Sequence, residues 1–184
     1  MNIDVKQNKL QISKRRIEVV DYCLSWPDNF SQVMSVLQPI VGDNLIALEH
    51  IGSTSVPGLA AKPIIDILLE VKSLPKLDLL SDAMVEVGFF PKGENGISGR
   101  RYFQKGGNQR SHHLHAFESS HPALNEHRAF REYLVAHNDI ANQYAKVKRN
   151  AAALSKHNAE LYMAFKHDFI QHHIKNALHW YRSQ

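Results

Sequence analysis

The fold is decided by residues 52–71, which read Gly52-Ser53-Thr54-Ser55-Val56-Pro57-Gly58-Leu59-Ala60-Ala61-Lys62-Pro63 and then Ile64-Ile65-Asp66-Ile67-Leu68-Leu69-Glu70-Val71. The second part is a short run that is apolar at both odd and even positions. Such a run is typical of a central strand that is covered on both faces of its sheet. Residues 45–51 also favour a strand, so the first part is a loop between two strands.

The remaining segments are assigned from periodicity and from turn residues. Further strands are predicted at residues 17–22, 101–104 and 112–117, the last two antiparallel around a turn at 105–108. Helices are predicted from Pro27, after Pro75 as far as about Gly88, and from Pro122 onward. Two apolar stripes in this last part are interpreted as core-packing faces; they comprise Ile140, Tyr144, Val147, Ala151, Leu154 and then Tyr162, Phe165, Phe169, Ile170, Ile174, Leu178, Tyr181.

Length and composition indicate one globular domain covering residues 1–184. Apolar residues make up 43% and charged residues 22% of the 184 residues, which excludes a disordered chain, a collagen-like fibre and a disulfide scaffold. No run approaches the roughly 20 apolar residues of a spanning helix, and residues 1–7 lack a signal-peptide core, so no membrane partner is expected. The single cysteine, Cys23, cannot form an intramolecular disulfide, which favours a cytoplasmic location.

The charge balance gives no sign of sequence-specific nucleic-acid binding. The 22 Lys and Arg residues exceed the 18 Asp and Glu residues by four, and the basic residues are scattered in short groups. Histidine is more unusual, because four of the twelve histidines lie within ten residues. These four are His112, His113, His115 and His121.

Asp66 is the first candidate for chemistry, because its neighbours place an ionisable carboxylate in a buried strand. A buried carboxylate is costly unless it is paired, hydrogen-bonded or bound to a cation. An Asp that only caps a turn or pairs with an arginine is the alternative. Strand alternation points Asp66, Leu68 and Glu70 to one side, with Glu70 about 13 Å away and too far to share one metal ion.

Gly52-Ser53 is the second candidate, because a strand that ends in Gly-Ser exposes backbone N–H groups that can hold phosphate. The same dipeptide is also common in a simple turn. Lys62 in the connecting loop can offer a cation to the same phosphate.

His113 and His115 form the third candidate, since residues two apart on a strand face the same side. Paired imidazoles can bind a metal or serve as acid, base or phosphate donor. Arg100 and Arg101 nearby add positive charge, and a purely structural role for the histidines stays open.

Beyond these single residues, the stretch from Glu49 to Ile67 resembles the signature of the GrpB family. The likeness extends over roughly residues 17–171. It includes Tyr22, Trp26-Pro27, Gly99-Arg100-Arg101-Tyr102-Phe103, His112-His113-Leu114-His115, Phe130-Arg131-Glu132-Tyr133-Leu134, Tyr144, Lys148, Lys166 and Phe169-Ile170.

This resemblance implies the fold of the DNA polymerase beta-like nucleotidyltransferase superfamily, an α+β arrangement with a mixed sheet flanked by helices and a helical C-terminal part. In that superfamily a Gly-Ser after a strand holds the nucleoside triphosphate, and carboxylates on the next strand and a neighbouring one hold divalent metal. Gly52-Ser53 and Asp66 match this pattern. Leu68, however, stands where the second carboxylate is expected, and the third position falls in the strand of His113 and His115.

Three functions are therefore considered, and the first is favoured. The first is a nucleotidyltransferase-like transferase for a nucleotide or another small phosphate-bearing ligand, with Mg²⁺ or Mn²⁺ as the possible metal. Its residues would be Gly52 and Ser53 on the phosphates, Asp66 on metal or as base, and Lys62, Arg100 and Arg101 as charge-neutralising donors. The second is a site for Zn²⁺ or iron made by Asp66, His113 and His115. The third is a binding module without catalysis.

Overall fold

A computed structural model of the chain describes residues 16–184, and in this part five strands form one mixed sheet. The strands are β1 (Leu45–Ile51), β2 (Ile65–Val71), β3 (Phe90–Pro91), β4 (Arg101–Lys105) and β5 (His112–Glu118). Their order across the sheet is β1-β2-β5-β4-β3. The β2–β5 pair is parallel and the other three pairs are antiparallel, so the predicted mixed sheet is confirmed.

Six α-helices lie in the same described range. They are α1 (Trp26–Val41), α2 (Leu74–Asp78), α3 (Ser81–Glu86), α4 (Pro122–Ala136), α5 (Asn138–Ser155) and α6 (Ala159–Arg182). Proline occupies the first turn of α1 and of α4, where its missing N–H costs no hydrogen bond. The helical C-terminal part that the sequence predicts is confirmed as α4 to α6. Between residues 16 and 184 no helix combines the length and the apolar character that crossing a membrane requires.

The strand β2 is an interior strand of the sheet, between β1 and β5, and both of its faces are covered. Ile67, Leu68 and Leu69 are all fully buried. Ile67 and Leu69 belong to the large apolar cluster with α1, α2 and α3, whereas Leu68 packs with residues of α4. The predicted central strand is therefore present, and its two faces have different helices above them.

We call the α4 side of the sheet the cleft face. It is defined by Asp66, Leu68 and Glu70 on β2 and by His113 and His115 on β5. Strand register sets Asp66 beside His113 and Leu68 beside His115. His112 alternates to the opposite face, where its ring contacts Phe89.

Two predicted elements differ from the structure. Residues 17–22 form only one antiparallel bridge, Val20 with Ala61, because Pro63 follows in the partner segment and has no N–H to extend the ladder. The helix predicted from Pro75 to Gly88 is two short helices, α2 and α3. Between them the Ser81 hydroxyl donates a hydrogen bond of 2.7 Å to the Asp78 carbonyl, which replaces a helical backbone bond.

Candidate functional site

A cleft of about 850 Å³ lies between the cleft face of the sheet and the helices α4, α5 and α6. The sheet contributes polar side chains from β2, β4 and β5, and the loop at residues 52–64 closes one side. Of the sequence-predicted site residues, the cleft brings together seven: Gly52, Ser53, Lys62, Asp66, Arg100, His113 and His115. Arg101 is the one that it leaves out.

The Gly52-Ser53 turn packs directly against the Asp66 carboxylate. Gly52 has a φ of 71°, and a Cβ added to it would lie 2.9 Å from Asp66 Cβ and closer still to Asp66 Oδ2. Glycine is therefore required here both for the backbone conformation and for the close approach. Ser55 holds the turn by donating its hydroxyl to the Gly52 carbonyl at 2.6 Å.

Asp66 forms a close pair with His113. The Nδ1–H of His113 donates to Asp66 Oδ1 at 3.0 Å, and His115 Nε2 lies 3.9 Å from the same oxygen. Burial by itself would raise the pKa of Asp66, but hydrogen bonds and charge from His113 and His115 outweigh it and hold this pKa well below the ordinary value. Asp66 is therefore an anion at neutral pH.

Arg100 fixes the outer part of the cleft and positions His115. The guanidinium donates at 3.2 Å to His115 Nδ1, which must accept because arginine has no acceptor atom. Its other nitrogens donate to the carbonyl oxygens of Glu94 at 3.0 Å and Asn95 at 2.6 Å. Arg100 is only 5% exposed, so its donors serve the protein itself and not a free phosphate site.

Arg101, which we predicted as a phosphate donor, lies on the other face of the sheet. Its guanidinium makes two hydrogen bonds to the Asp78 carboxylate of α2, at 2.7 and 2.9 Å. The cause is strand alternation, since Arg100 precedes β4 on the cleft side and the next residue points away.

The residues of the cleft face fit a divalent metal poorly. Leu68, where the resemblance implies a second carboxylate, is fully buried against Ile51 and Phe117. In the part of the chain that the structure describes, no three His, Cys, Asp or Glu side chains are arranged to hold a metal ion. Asp66 and His113 are instead hydrogen-bonded to each other.

Two lysines of the C-terminal helices line the cleft; the sequence places both in the family resemblance, but neither was predicted as a site residue. Lys148 on α5 is 2% exposed and Lys166 on α6 is 7% exposed. The Lys148 ammonium lies 4.5 Å from the centre of the Tyr144 ring, and the Lys166 ammonium lies 4.5 Å from the centre of the Tyr162 ring. Lys62 places its ammonium 4.5 Å from the centre of that same Tyr162 ring.

These lysines were missed because the helical stripes were aligned on apolar residues alone. Leu154, assigned to the core, is 63% exposed, and Phe165 is 48% exposed. The buried residues of α5 are Ala141, Tyr144, Lys148, Ala151 and Ser155, and those of α6 are Tyr162, Lys166, His173 and Ala177. A lysine four residues after a tyrosine in each helix is the signal that could have identified them.

Burial gives both lysines an abnormal protonation equilibrium. Burial lowers the pKa of Lys148 to about 6, with Lys166 adding repulsion and Asp66 partly opposing the change. Burial and the nearby Lys62 lower the pKa of Lys166 to about 8. Within residues 16–184, neither Lys148 nor Lys166 forms an ion pair, and Lys148 Nζ has no hydrogen-bond acceptor.

The half-buried side chain of His127 on α4 also lines the cleft. Its ring packs on His115, with 5.2 Å between the ring centres, and burial lowers its pKa to about 3. It is therefore neutral at neutral pH. The cleft thus combines the Asp66 carboxylate, the neutral imidazole of His127 and buried lysines, with Glu126 and Glu160 also in its lining. Such a set can hold an anionic ligand and orient a hydroxyl group beside Asp66.

Comparison with known proteins gives consistent relatives. The chain is similar to the UPF0157 protein YqkA of Bacillus subtilis, with 44% identity over 91% of this chain, but it spans only 49% of that protein's length. It is also 30% identical to the glutamate-rich protein GrpB of Alkalihalophilus pseudofirmus, over 88% of this chain and 95% of that protein.

Solved structures agree with the sequence relatives. The crystal structure of the conserved protein GrpB from Enterococcus faecalis has a TM-score of 0.86 and 39% identity, covering 89% of this chain and 99% of that one. Cid1 poly(U) polymerase has a TM-score of 0.43 and 14% identity, a likeness too weak to carry a conclusion. The sequence profile described as GrpB protein matches residues 16–176. The chain therefore belongs to the GrpB family.

Proposed function

We propose that the cleft binds a small phosphate-bearing ligand such as a nucleotide, and that the chain is a nucleotidyltransferase-like protein. The observation that carries this proposal is Lys148, a lysine in the cleft wall that is 2% exposed and has no acceptor among the described residues. A charged ammonium is costly at this buried position, so Lys148 is largely unprotonated at neutral pH. A phosphate oxygen supplies the opposite charge and the acceptor that the protonated lysine needs.

The neighbouring residues support a phosphate as the anion. Lys62 and Lys166 bring two further ammonium groups into the same cleft. The Gly52-Ser53 turn packs against Asp66, so the turn and the Asp66 carboxylate line the same part of the cleft. The cleft volume of about 850 Å³ is ample for a mononucleotide.

Group transfer at Asp66 is the chemistry that this arrangement favours. An acceptor hydroxyl oxygen would form a bond to phosphorus, the bond to the leaving phosphate would break, and the hydroxyl proton would leave through Asp66 or solvent. The low pKa of Asp66 makes it a weak base. Its main contribution would be to orient the hydroxyl by accepting a hydrogen bond.

A binding module without catalysis is the second candidate, and Leu68 favours it. Its side chain is fully buried in an apolar cluster, so the position cannot supply a second carboxylate. Two-metal phosphoryl transfer is therefore not open to this cleft in its usual form.

Titration calorimetry with ATP, with and without Mg²⁺ or Mn²⁺, tests the proposal. We expect Lys148→Met to weaken ATP binding tenfold or more, because a charge-assisted hydrogen bond is lost. Arg101→Ala is the matched control and should leave affinity within twofold, since Arg101 pairs with Asp78 outside the cleft. No ATP binding under any of these conditions, or an unchanged affinity in Lys148→Met, would contradict the proposal.

Asp66→Asn separates the two candidates. If Asp66 takes part in transfer, the variant should bind ATP within a few-fold of the wild type and lose turnover. If the cleft only binds, the variant loses a repelling charge and should bind ATP as well or better, with no turnover to lose.

A further inference from the structure

Lys148 combines deep burial with a position in the wall of the cleft. The residue is 2% exposed, and its side-chain nitrogen lies 4.5 Å from the centre of the Tyr144 ring. Within residues 16–184 this nitrogen has no hydrogen-bond acceptor. It can therefore turn toward a small molecule in the cleft of about 850 Å³ without breaking a hydrogen bond to this part of the chain.

The surroundings of Lys148 disfavour its ammonium form. The charged groups that act on Lys148 or line the same cleft are Lys62, Asp66, Glu126, Arg149, Glu160 and Lys166. Burial is the largest effect, followed by repulsion from Lys166 and then by attraction from Asp66, and together they lower the pKa of Lys148 to about 6. Burial also raises the pKa of Tyr144 to about 13, so the neighbouring phenol is neutral and supplies no counter-charge.

A desolvated lysine beside a second cation is the arrangement that makes a lysine side chain a nucleophile toward carbonyl carbon. Lys166, with a pKa of about 8, is mainly an ammonium at pH 7, so Lys148 is the reactive member of the two. We propose that Lys148 forms an imine with a small aldehyde or ketone bound in the cleft. The nitrogen lone pair forms the bond to the carbonyl carbon. Both amine protons leave with the carbonyl oxygen as water, and a C=N bond replaces the C=O bond.

This activity goes beyond phosphate binding, because it uses the other protonation state of the same side chain. A phosphate group pairs with the ammonium form of Lys148, whereas a carbonyl carbon reacts with the amine form. A nucleotide bound to Lys148 should therefore protect it from carbonyl compounds.

Reductive trapping in the full chain tests the inference, with acetaldehyde as the probe and sodium cyanoborohydride to reduce the imine to a stable secondary amine. Peptide mass spectrometry then gives the labelling rate of each lysine. At pH 7 we expect Lys148 to be labelled at least tenfold faster than Lys146 on the same helix and Lys175 on α6, which are both exposed. The reason is that an exposed lysine is almost entirely protonated at this pH. Labelling of Lys148 at or below the rate of Lys146 would overturn the inference.

The pH dependence provides a second readout that a merely accessible lysine would not give. From pH 8 to pH 7 the amine fraction of an ordinary lysine falls about tenfold, whereas that of Lys148 changes little. The ratio of the Lys148 rate to the Lys146 rate should therefore rise about tenfold over this range, and a constant ratio would contradict the inference.

Repeating the measurement with excess ATP keeps the two proposals apart. Slower labelling of Lys148 supports ATP binding at this residue. Fast labelling of Lys148 that ATP does not change would count against the proposed function and leave imine formation established. ATP binding by calorimetry without preferential labelling of Lys148 would have the opposite meaning.

Discussion

The two ends of the cleft face treat positive charge in opposite ways. At the Glu70 end, Arg128 of α4 donates to Glu49 at 2.7 Å and to Glu70 at 2.6 Å, and Arg131 adds a bond of 3.3 Å to Glu49. At the Asp66 end, the lysine cup lines the cleft beside the Asp66 carboxylate, with Glu126 and Glu160 also in the lining; the cup is defined here as Lys62, Lys148, Lys166, Tyr144 and Tyr162. Arg128 is thus matched by fixed carboxylates, whereas Lys148 and Lys166 form no ion pair among the described residues.

Protonation equilibria show the same contrast. The hydrogen bond from Arg128 lowers the pKa of Glu70, and bonds to Glu49 and Glu70 raise the pKa of Arg128 against the effect of burial. In the lysine cup, burial lowers the pKa of Lys148 to about 6. The Glu70 end is therefore stabilised by its paired charges, whereas the burial of Lys148 is a cost to the Asp66 end.

The largest effect is expected at the Glu70 end. Arg128→Met should lower the free energy of unfolding by about 3 kcal/mol, because it leaves two half-buried carboxylates without their shared cation. Arg149→Met, which removes an exposed pair with Asp21, is the control and should change it by less than about 0.5 kcal/mol. Chemical denaturation measures the free energy of unfolding of both variants. Equal losses of stability in Arg128→Met and Arg149→Met would contradict a stabilising role of the Glu70 end.

A smaller effect of opposite sign is expected in the lysine cup. Without ligand at pH 7, Lys148→Met should raise the free energy of unfolding by about 1–3 kcal/mol, because it removes a buried amine that unfolding would let regain its proton. Lys146 is an exposed lysine on the same helix, so Lys146→Met is the control and should change the free energy of unfolding little. A loss of stability in Lys148→Met would contradict this account.

The increase in the free energy of unfolding that Lys148→Met causes should depend on pH. The Lys148 pKa is about 6 in the folded state and near its ordinary 10.5 when unfolded, so the unfolded chain binds more protons between these values. The free energy of unfolding of the wild type therefore rises with pH across this range. The difference between variant and wild type is largest at or below pH 6 and disappears near pH 10.

The sequence predicted most of the framework, because local patterns determine it. The apolar run at 64–71 is sufficient to identify a central strand, and alternation correctly puts Asp66, His113 and His115 on one face. The same rule gives opposite faces to neighbours, yet Arg100 and Arg101 were predicted as one donor pair. Only the start of β4 decides which of them faces the cleft.

The lysine cup could be predicted only in part: Lys62 was selected from the sequence, but its convergence with Lys148 and Lys166 is a tertiary feature. Lys62, Lys148 and Lys166 are separated by 18 to 104 residues and meet only when α5 and α6 fold over the sheet. A lysine in an amphipathic helix is normally solvated, so a lysine is not expected on the buried face. Periodicity therefore predicted the buried faces of α5 and α6 from their apolar residues alone. Buried cations became visible only through the helix packing.

Proton uptake on ligand binding tests the central claim most directly. Titration calorimetry of tripolyphosphate at pH 8 in two buffers of different ionisation enthalpy measures the number of protons exchanged. Lys148 is largely neutral in the empty cleft, so we predict that binding takes up about one proton. Lys148→Met should reduce this number clearly, and the Lys146→Met control should not. Binding with no proton uptake, or with proton release, would contradict the account.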